Sequence, residues 1–503
     1  MDIQVLSKDI TKITVDALVV NLFEGIKKPS GATGAVDKAL HGVISDLIES
    51  GEIEGKIKET TIIHTKEMIE PKRIIVVGLG KEEDFSLERI RQATASSIKA
   101  AKKVKVKKMA SIVHGIGTGG FDSSSASRCV VEGALLADYL THDYKTDRKD
   151  LQQPIEEFWL VEQSEDKIES ITTGVEKGKV LAQAANIARK AVNAPSNAMT
   201  PSHLADLSSS LANESGFSCE ILQQKELEEL GMNAFLGVAK GSKEEPKLVI
   251  MKYEGNPESK EKTCLVGKGM TFDSGGISLK TAEGMETMKD DMGGAAAVIG
   301  AMSAIAKLKL KTNVLGIAAL AENMPSGTAQ KPGDIVHSFQ GKTIEIMNTD
   351  AEGRLILADA VAYAQTLGIT RIIDVATLTG SVVVALGHEA SGYISNNDDF
   401  AEALDKASYD SGERCWRLPI YSEYKEYLKS DFADIKNIGG RPAGAITGGL
   451  FIGSFVENDL PWIHLDIAGT VWSTKELPYY AKGATGVGVR TLTHLAEYYS
   501  AQE

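Results

Sequence analysis

Short apolar runs alternate with amphipathic stretches along most of the chain. In the first part, 17–21, 74–78 and 110–113 are rich in β-branched residues and read as strands, and 159–161 reads as the last of that series. Between them, about 87–103 carries the spacing of a helix. Strands alternating with helices predict an α/β layer with a largely parallel sheet. From 166 to 192 the pattern turns helical, with Leu181, Ala184, Ala185 and Ala188 on one stripe. It should stop near Asn193-Ala194-Pro195, because the residue before proline avoids helical backbone. This helix is the expected connector between two domains.

A second α/β series follows. Strands are expected at 248–250, 263–266, 313–317, 343–346, 371–375 and 462–465, with helices over about 293–307 and 354–365. No fixed-period repeat or low-complexity tract interrupts it. At 503 residues the chain exceeds what one hydrophobic core supports, so two or three domains are expected.

Charge and cysteine usage narrow the function classes. The net charge of −14 repels polyanions on average. The one basic cluster, Lys99, Lys102, Lys103, Lys105, Lys107 and Lys108, reads as a solvated helix end and loop. Cys129, Cys219, Cys264 and Cys415 form no CxxC pair, which argues against a disulfide scaffold or thiolate zinc site and for reduced thiols in the cytoplasm. The start of the chain lacks a basic-then-apolar signal pattern, and no apolar run approaches the roughly 20 residues that cross a bilayer. A cytoplasmic protein without a membrane span is expected.

Two glycine-rich segments differ in what they offer. Gly115 to Gly120 fits GxGxxG after a strand but has no helix start directly behind it, so it reads as a tight turn. By contrast, the strand at 263–266 empties into a loop carrying Lys268, Asp273 and Lys280, and Asp291 stands just before a helix. The strand at 343–346 likewise ends at Asp350, Glu352 and Arg354. Ligands bind at the carboxyl ends of strands in open α/β sheets. Asp291 alone reads as a helix cap. Taken together, four carboxylates and three cations in two such loops ask for metal counter-charge. If the backbone there is extended, Asp350 and Glu352 point the same way and reach one cation. The nine histidines form no i,i+3 or i,i+4 pair, and His464, inside an apolar strand, reads as a satisfied core group. An oxygen-rich site of this kind suits Zn, Mn, Mg or Co.

At these residues the chain resembles the leucyl aminopeptidase (M17) family, whose octapeptide NTDAEGRL stands at 348–355 letter for letter. The segments VGKGMTFDSGGISLK at 266–280, MKDDMGG at 288–294 and DVATLTG at 374–380 extend the resemblance from about 188 to the C-terminus. Before residue 160 it rests on general layout. The resemblance implies an N-terminal macro-like α/β domain (1–165), a linker helix (166–193) and a C-terminal catalytic domain (194–503) with a mostly parallel central sheet flanked by helices. It implies a hexamer of two stacked trimers. Two divalent ions, with Zn or Mn first and Mg or Co as alternatives, would be held by Lys268, Asp273, Asp291, Asp350 and Glu352, with Asp273 and Glu352 bridging. Such an ion pair lies roughly 3.5–4 Å apart and acidifies a water. A lysine ligand must be neutral, which a neighbouring dication favours.

By the same resemblance Lys280 stabilises the oxyanion, and Arg354 holds a bicarbonate that acts as general base. Met270, Met288, Thr377 and Gly380 are candidates for the pocket of the first side chain, with core filling an equal reading for the two methionines. Peptide substrates with a free amine, mainly apolar at the first position, are implied. A Cys-Gly type dipeptidase is the nearest alternative. The alternative of another class is nucleotide or DNA binding through the N-terminal part, which salt-sensitive DNA retention would reveal.

Overall fold

The computed structural model describes residues 1–116, 119–141, 144–147, 153–457 and 459–502. Gly117 and Thr118 of the glycine-rich turn, and His142, lie outside them. The chain divides into two compact units: Met1–Gln183 with Lys475–Lys482, and Ala184–Thr474 with Gly483–Glu503. The division falls inside one continuous helix, Ile168–Asn193.

In the first unit β1 (Asp2–Ser7), β2 (Ala17–Phe23), β3 (Thr60–His64), β4 (Arg73–Gly80), β5 (Lys108–Ser111) and β6 (Glu157–Glu162) form one sheet in the order β1-β6-β5-β2-β4-β3. Every pairing is parallel except β3 with β4. Successive residues of β2 and β4 feed different cores. Val19, Ile75 and Val77 lie in one, and Leu18, Val20, Ile74 and Val76 in the other. Burial on both faces is why these strands read as continuous apolar runs. The strand expected at 110–113 runs instead from Lys108 to Ser111, because its ladder starts where β6 offers Glu157 as partner.

The second unit contributes β7 (Ser218–Leu222), β8 (Lys247–Glu254), β9 (Thr263–Asp273), β10 (Asn313–Asn323), β11 (Ile335–His337), β12 (Thr343–Glu345), β13 (Arg371–Ala376), β14 (Ser391–Ser395), β15 (Cys415–Arg417), β16 (Ile435–Lys436) and β17 (Trp462–Asp466). The main sheet runs β15-β14-β17-β13-β9-β10-β8-β7, and its centre, β17-β13-β9-β10, is parallel. From β9 the chain goes through the helix Gly293–Lys307 to β10 on one side. It later returns through the helix Gly353–Gln365 to β13 on the other side. The carboxyl end of β9 is therefore a topological switch point, where an open α/β sheet leaves a crevice.

The strand expected at 343–346 does exist, but outside this sheet. β12 belongs to a separate three-stranded sheet, β11-β12-β16. The two site loops thus do not leave one sheet edge, and other contacts bring them together.

Candidate metal centre

β9 carries its first functional residue before it ends. Lys268 pairs across the ladder with Ala319 of β10 and is buried. Its stem passes the start of the helix Gly353–Gln365, where a Cβ on Gly353 would lie 2.4 Å from Lys268 Cε. That close approach explains the glycine inside the octapeptide. Beyond Asp273 the chain reverses through Gly275, at φ +88°. Thr349 then ties the two loops together. Its hydroxyl donates to Gly275 O at 2.6 Å and accepts from Ser278 N at 2.8 Å. Asn323, at the end of β10, donates both to Asp273 Oδ1 at 2.8 Å and to Thr349 O at 3.0 Å.

Two local expectations are corrected. Asp350 and Glu352 do not alternate on an extended strand. Asp350 N donates to Asn348 Oδ1 at 2.8 Å in an Asx turn, and Glu352 has helical backbone, φ −79° and ψ −38°. Nor does Asp291 cap a helix. The helix Gly293–Lys307 begins after Met292 with no side-chain cap, while Asp291 Oδ1 accepts from Thr377 Oγ1 at 2.7 Å.

The charges meet at the end of β9. Lys268 Nζ lies 2.7 Å from Asp291 Oδ1, 2.8 Å from Glu352 Oε1 and 2.9 Å from Thr377 O. Lys280 Nζ pairs with Asp273 Oδ2 at 2.7 Å and with Asp350 Oδ1. Burial by itself would depress both ammonium groups, but the surrounding carboxylates outweigh it and raise them: chiefly Asp291 and Glu352 for Lys268, and Asp273 and Glu352 for Lys280. Burial also raises the carboxyls of Asp273, Asp291 and Asp350, and pushes Asp290 up to about 7. Arg354 is drawn down to about 10 by burial, against the pull of Glu352 and Asp466, and stays charged at neutral pH.

The donor set fits divalent cations. Asp291 Oδ2 and Glu352 Oε2 are buried without a hydrogen-bond partner. Asp273, Asp350 and Glu352 each bring a carboxylate oxygen within 4.8 Å of the others. Buried carboxylate oxygens that no N–H satisfies are what a hard dication takes up.

These groups line a cleft of about 740 Å³, shared by Lys280, Arg354, Met288, Thr377 and Gly380. Met270 is the exception among the expected pocket residues. It is fully buried in the core around the helix Gly353–Gln365 and does not line the cleft. Met270 shares one face of β9 with Cys264, Val266 and Lys268, but its side chain packs into the apolar core, whereas Lys268 extends to the carboxylates of the cleft. Thr377 does more than form a wall, since its hydroxyl orients Asp291 and its carbonyl accepts from Lys268.

Sequence reading missed Asn323 and Asn437, which hold the loops, and Ala468 and Val471, which line the cleft. Asn437 does stand before a glycine pair, Gly439-Gly440, but no acidic cluster marks that segment as part of the site; the only signal for Asn323 is its place at the end of an apolar strand. His464 is buried as expected, with Nδ1 2.5 Å from Asp374 Oδ1, but its Nε2 has no partner, so it is only half satisfied.

Comparisons with known proteins point to one family. The profile of the cytosol aminopeptidase family's catalytic domain matches residues 186–493, and that of its N-terminal domain matches 19–148. A probable cytosol aminopeptidase of Alkaliphilus oremlandii (strain OhILAs) is 48% identical over 497 residues, covering 99% of each chain. One from Alkaliphilus metalliredigens (strain QYMF) is 45% identical over 498 residues, again covering 99% of each. A tomato leucine aminopeptidase mutant superposes with a TM-score of 0.88 at 32% identity, over 99% of this chain and 96% of that one. The bottromycin maturation enzyme BotP in complex with Mn superposes at 0.85 and 32% identity, over 97% and 100%. Fold and relatives together define the class, a metal-dependent peptide hydrolase. The chain belongs to the cytosol aminopeptidase family.

Proposed function

We propose that this aminopeptidase releases N-terminal residues, leucine and other apolar ones foremost, using two divalent ions held by Lys268, Asp273, Asp291, Asp350 and Glu352. The observation that carries the reading is the pair of buried, unpartnered oxygens, Asp291 Oδ2 and Glu352 Oε2, beside Lys268. Divalent ions bound there supply Lewis-acid polarisation and make water acidic enough to ionise near neutral pH. Zn and Mn suit the site best; the structure of BotP with Mn supports the second. Lys268, held as an ammonium by its carboxylate neighbours, would serve as a ligand only once neutral, which a cation beside it would favour.

The chain's own residues do the rest. Lys280 stays charged, with 23% of its side chain exposed toward solvent, and is suited to stabilise the oxyanion that forms on the scissile carbonyl. Arg354 has its Nη1 engaged by Asn437 O at 2.9 Å, while its buried Nε has no partner. That free donor supports a small planar anion, bicarbonate, as the proton acceptor. Met288, Thr377 and Gly380 receive the first side chain, and Gly380 leaves open space where a Cβ would stand. Methionine in such a wall adapts to several shapes, which favours broad specificity.

We also assign the protein to a hexamer in the cytoplasm. Leu279, Val384 and Phe432 are 61%, 90% and 78% exposed, apolar surface that assembly would cover. Among the described residues no helix is long and apolar enough to cross a membrane.

Glu352→Ala tests the ligand assignment. It should abolish leucine-anilide hydrolysis and lower the metal retained after gel filtration. A variant that stays active and fully metallated would sink it.

A further inference from the structure

We infer that Asn437 is a positioning residue that holds the 347–354 loop, and with it Asp350, Glu352 and Arg354, in a single arrangement. The inference rests on the metal-site reading above. Asn437 follows β16, which pairs in parallel with β12 through Ile435 and Lys436. Its backbone N–H makes one more rung, donating to Glu345 O at 3.0 Å. There β12 ends, and the Asn437 side chain takes over the role of the missing strand. Its Oδ1 accepts from Met347 N at 2.8 Å and from Asn348 N at 3.3 Å. Its Nδ2 donates to Asn348 O at 2.7 Å and to Ala351 O at 3.4 Å. Its own carbonyl accepts from Arg354 Nη1 at 2.9 Å.

One fully buried residue, distant in sequence, thus grips the loop on both sides of Asp350 and steadies the arginine. The amide is suited to this because it offers an acceptor and two donors at fixed spacing. Two N–H groups face Oδ1 and two carbonyls face Nδ2, so the network also fixes which way the amide points. Removing the side chain takes these bonds from four loop groups at once, of which Ala351 O is buried and those of Met347 and Asn348 are only partly so, and leaves the loop free to shift. Outer groups of this kind commonly change metal affinity or activity by about 10- to 100-fold.

The test uses the full-length protein, stripped of metal, as wild type, Asn437→Ala and Asn437→Asp. Three quantities are measured: Mn²⁺ affinity by calorimetric titration, kcat and KM for leucine anilide at saturating Mn²⁺, and the melting temperature without metal. We expect both variants to bind Mn²⁺ about 10- to 100-fold more weakly. We expect kcat to fall by a similar factor while KM stays within about threefold, as for a lost transition-state arrangement. Asn437→Asp keeps size and acceptor but turns lone pairs toward Asn348 O and Ala351 O, so it should not rescue. A lower melting temperature with wild-type Mn²⁺ affinity and kcat would make Asn437 part of the scaffold only and overturn the inference. Failure of both variants to fold would overturn it as well. If stripped wild type takes up no Mn²⁺, the metal-site reading itself fails first and the inference falls with it.

Discussion

Lys280 and Lys268 differ in surroundings, and that difference separates their expected roles. Lys268 is enclosed, with three acceptors within 2.9 Å, whereas Lys280 reaches the cleft from the rim and keeps about a quarter of its side chain exposed. Removing Lys280 by substitution with Ala should leave metal content unchanged and lower kcat by about 10²- to 10³-fold, the size of a lost oxyanion donor. Loss of the bound metal in that variant would assign Lys280 a different role. Gly353→Ala tests the opposite side of the site. The added Cβ meets Lys268 Cε at 2.4 Å with the buried first turn of the helix behind it, so Lys268 must move. Metal uptake and activity should both fall; a fully active, fully loaded variant would show that the lysine has room. Charged residues in glycine-rich loops were the legible part of the site, because their chemistry is costly to bury without a purpose. Asn323, Asn437 and the bonding role of Thr377 were not legible, since a neutral polar residue reveals its partners only once distant segments are brought together.

At the scale of elements, long buried strands and amphipathic helices announced themselves through their period. The helices Leu87–Lys103 and Gly293–Lys307 stand where the spacing put them. Edge strands and short pieces did not: β14 and β15 are five and three residues long and draw their partners from distant segments. β12 was visible as a strand, yet its sheet membership depends on β16, a two-residue strand with no period to read. The mostly parallel sheet of the first unit makes its own testable claim. His114 is buried behind β5, and its Nδ1 pairs with Asn21 Nδ2 at 3.0 Å, an amide donor that requires an unprotonated nitrogen. Burial lowers this imidazole to about 4, against about 6.5 for an unfolded chain. A histidine with a depressed folded pKa takes up its proton more readily when unfolded. Its contribution is therefore complete above about pH 6.5 and is lost as pH falls toward 4, by up to about 3 kcal/mol. The melting temperature should drop across that window, and a His114→Gln variant should show a flatter dependence. An equally steep drop in the variant would remove His114 as the cause.

For the whole molecule, order along the chain carries the assembly of the site. The ligand loops follow β9 and β12, strands of different sheets, and Thr349 and Asn323 join them at the switch point of the main sheet. Sedimentation should give a particle of six 53.8 kDa chains. A monodisperse monomer at assay concentration would contradict the hexamer. The central claim is that catalysis depends on two divalent ions held by this chain, and metal stoichiometry measured alongside leucine-anilide hydrolysis tests it most directly. Activity should vanish on exhaustive chelation and return with Mn²⁺ or Zn²⁺ as occupancy approaches two ions per chain. Full activity in a sample shown to be metal-free would contradict it.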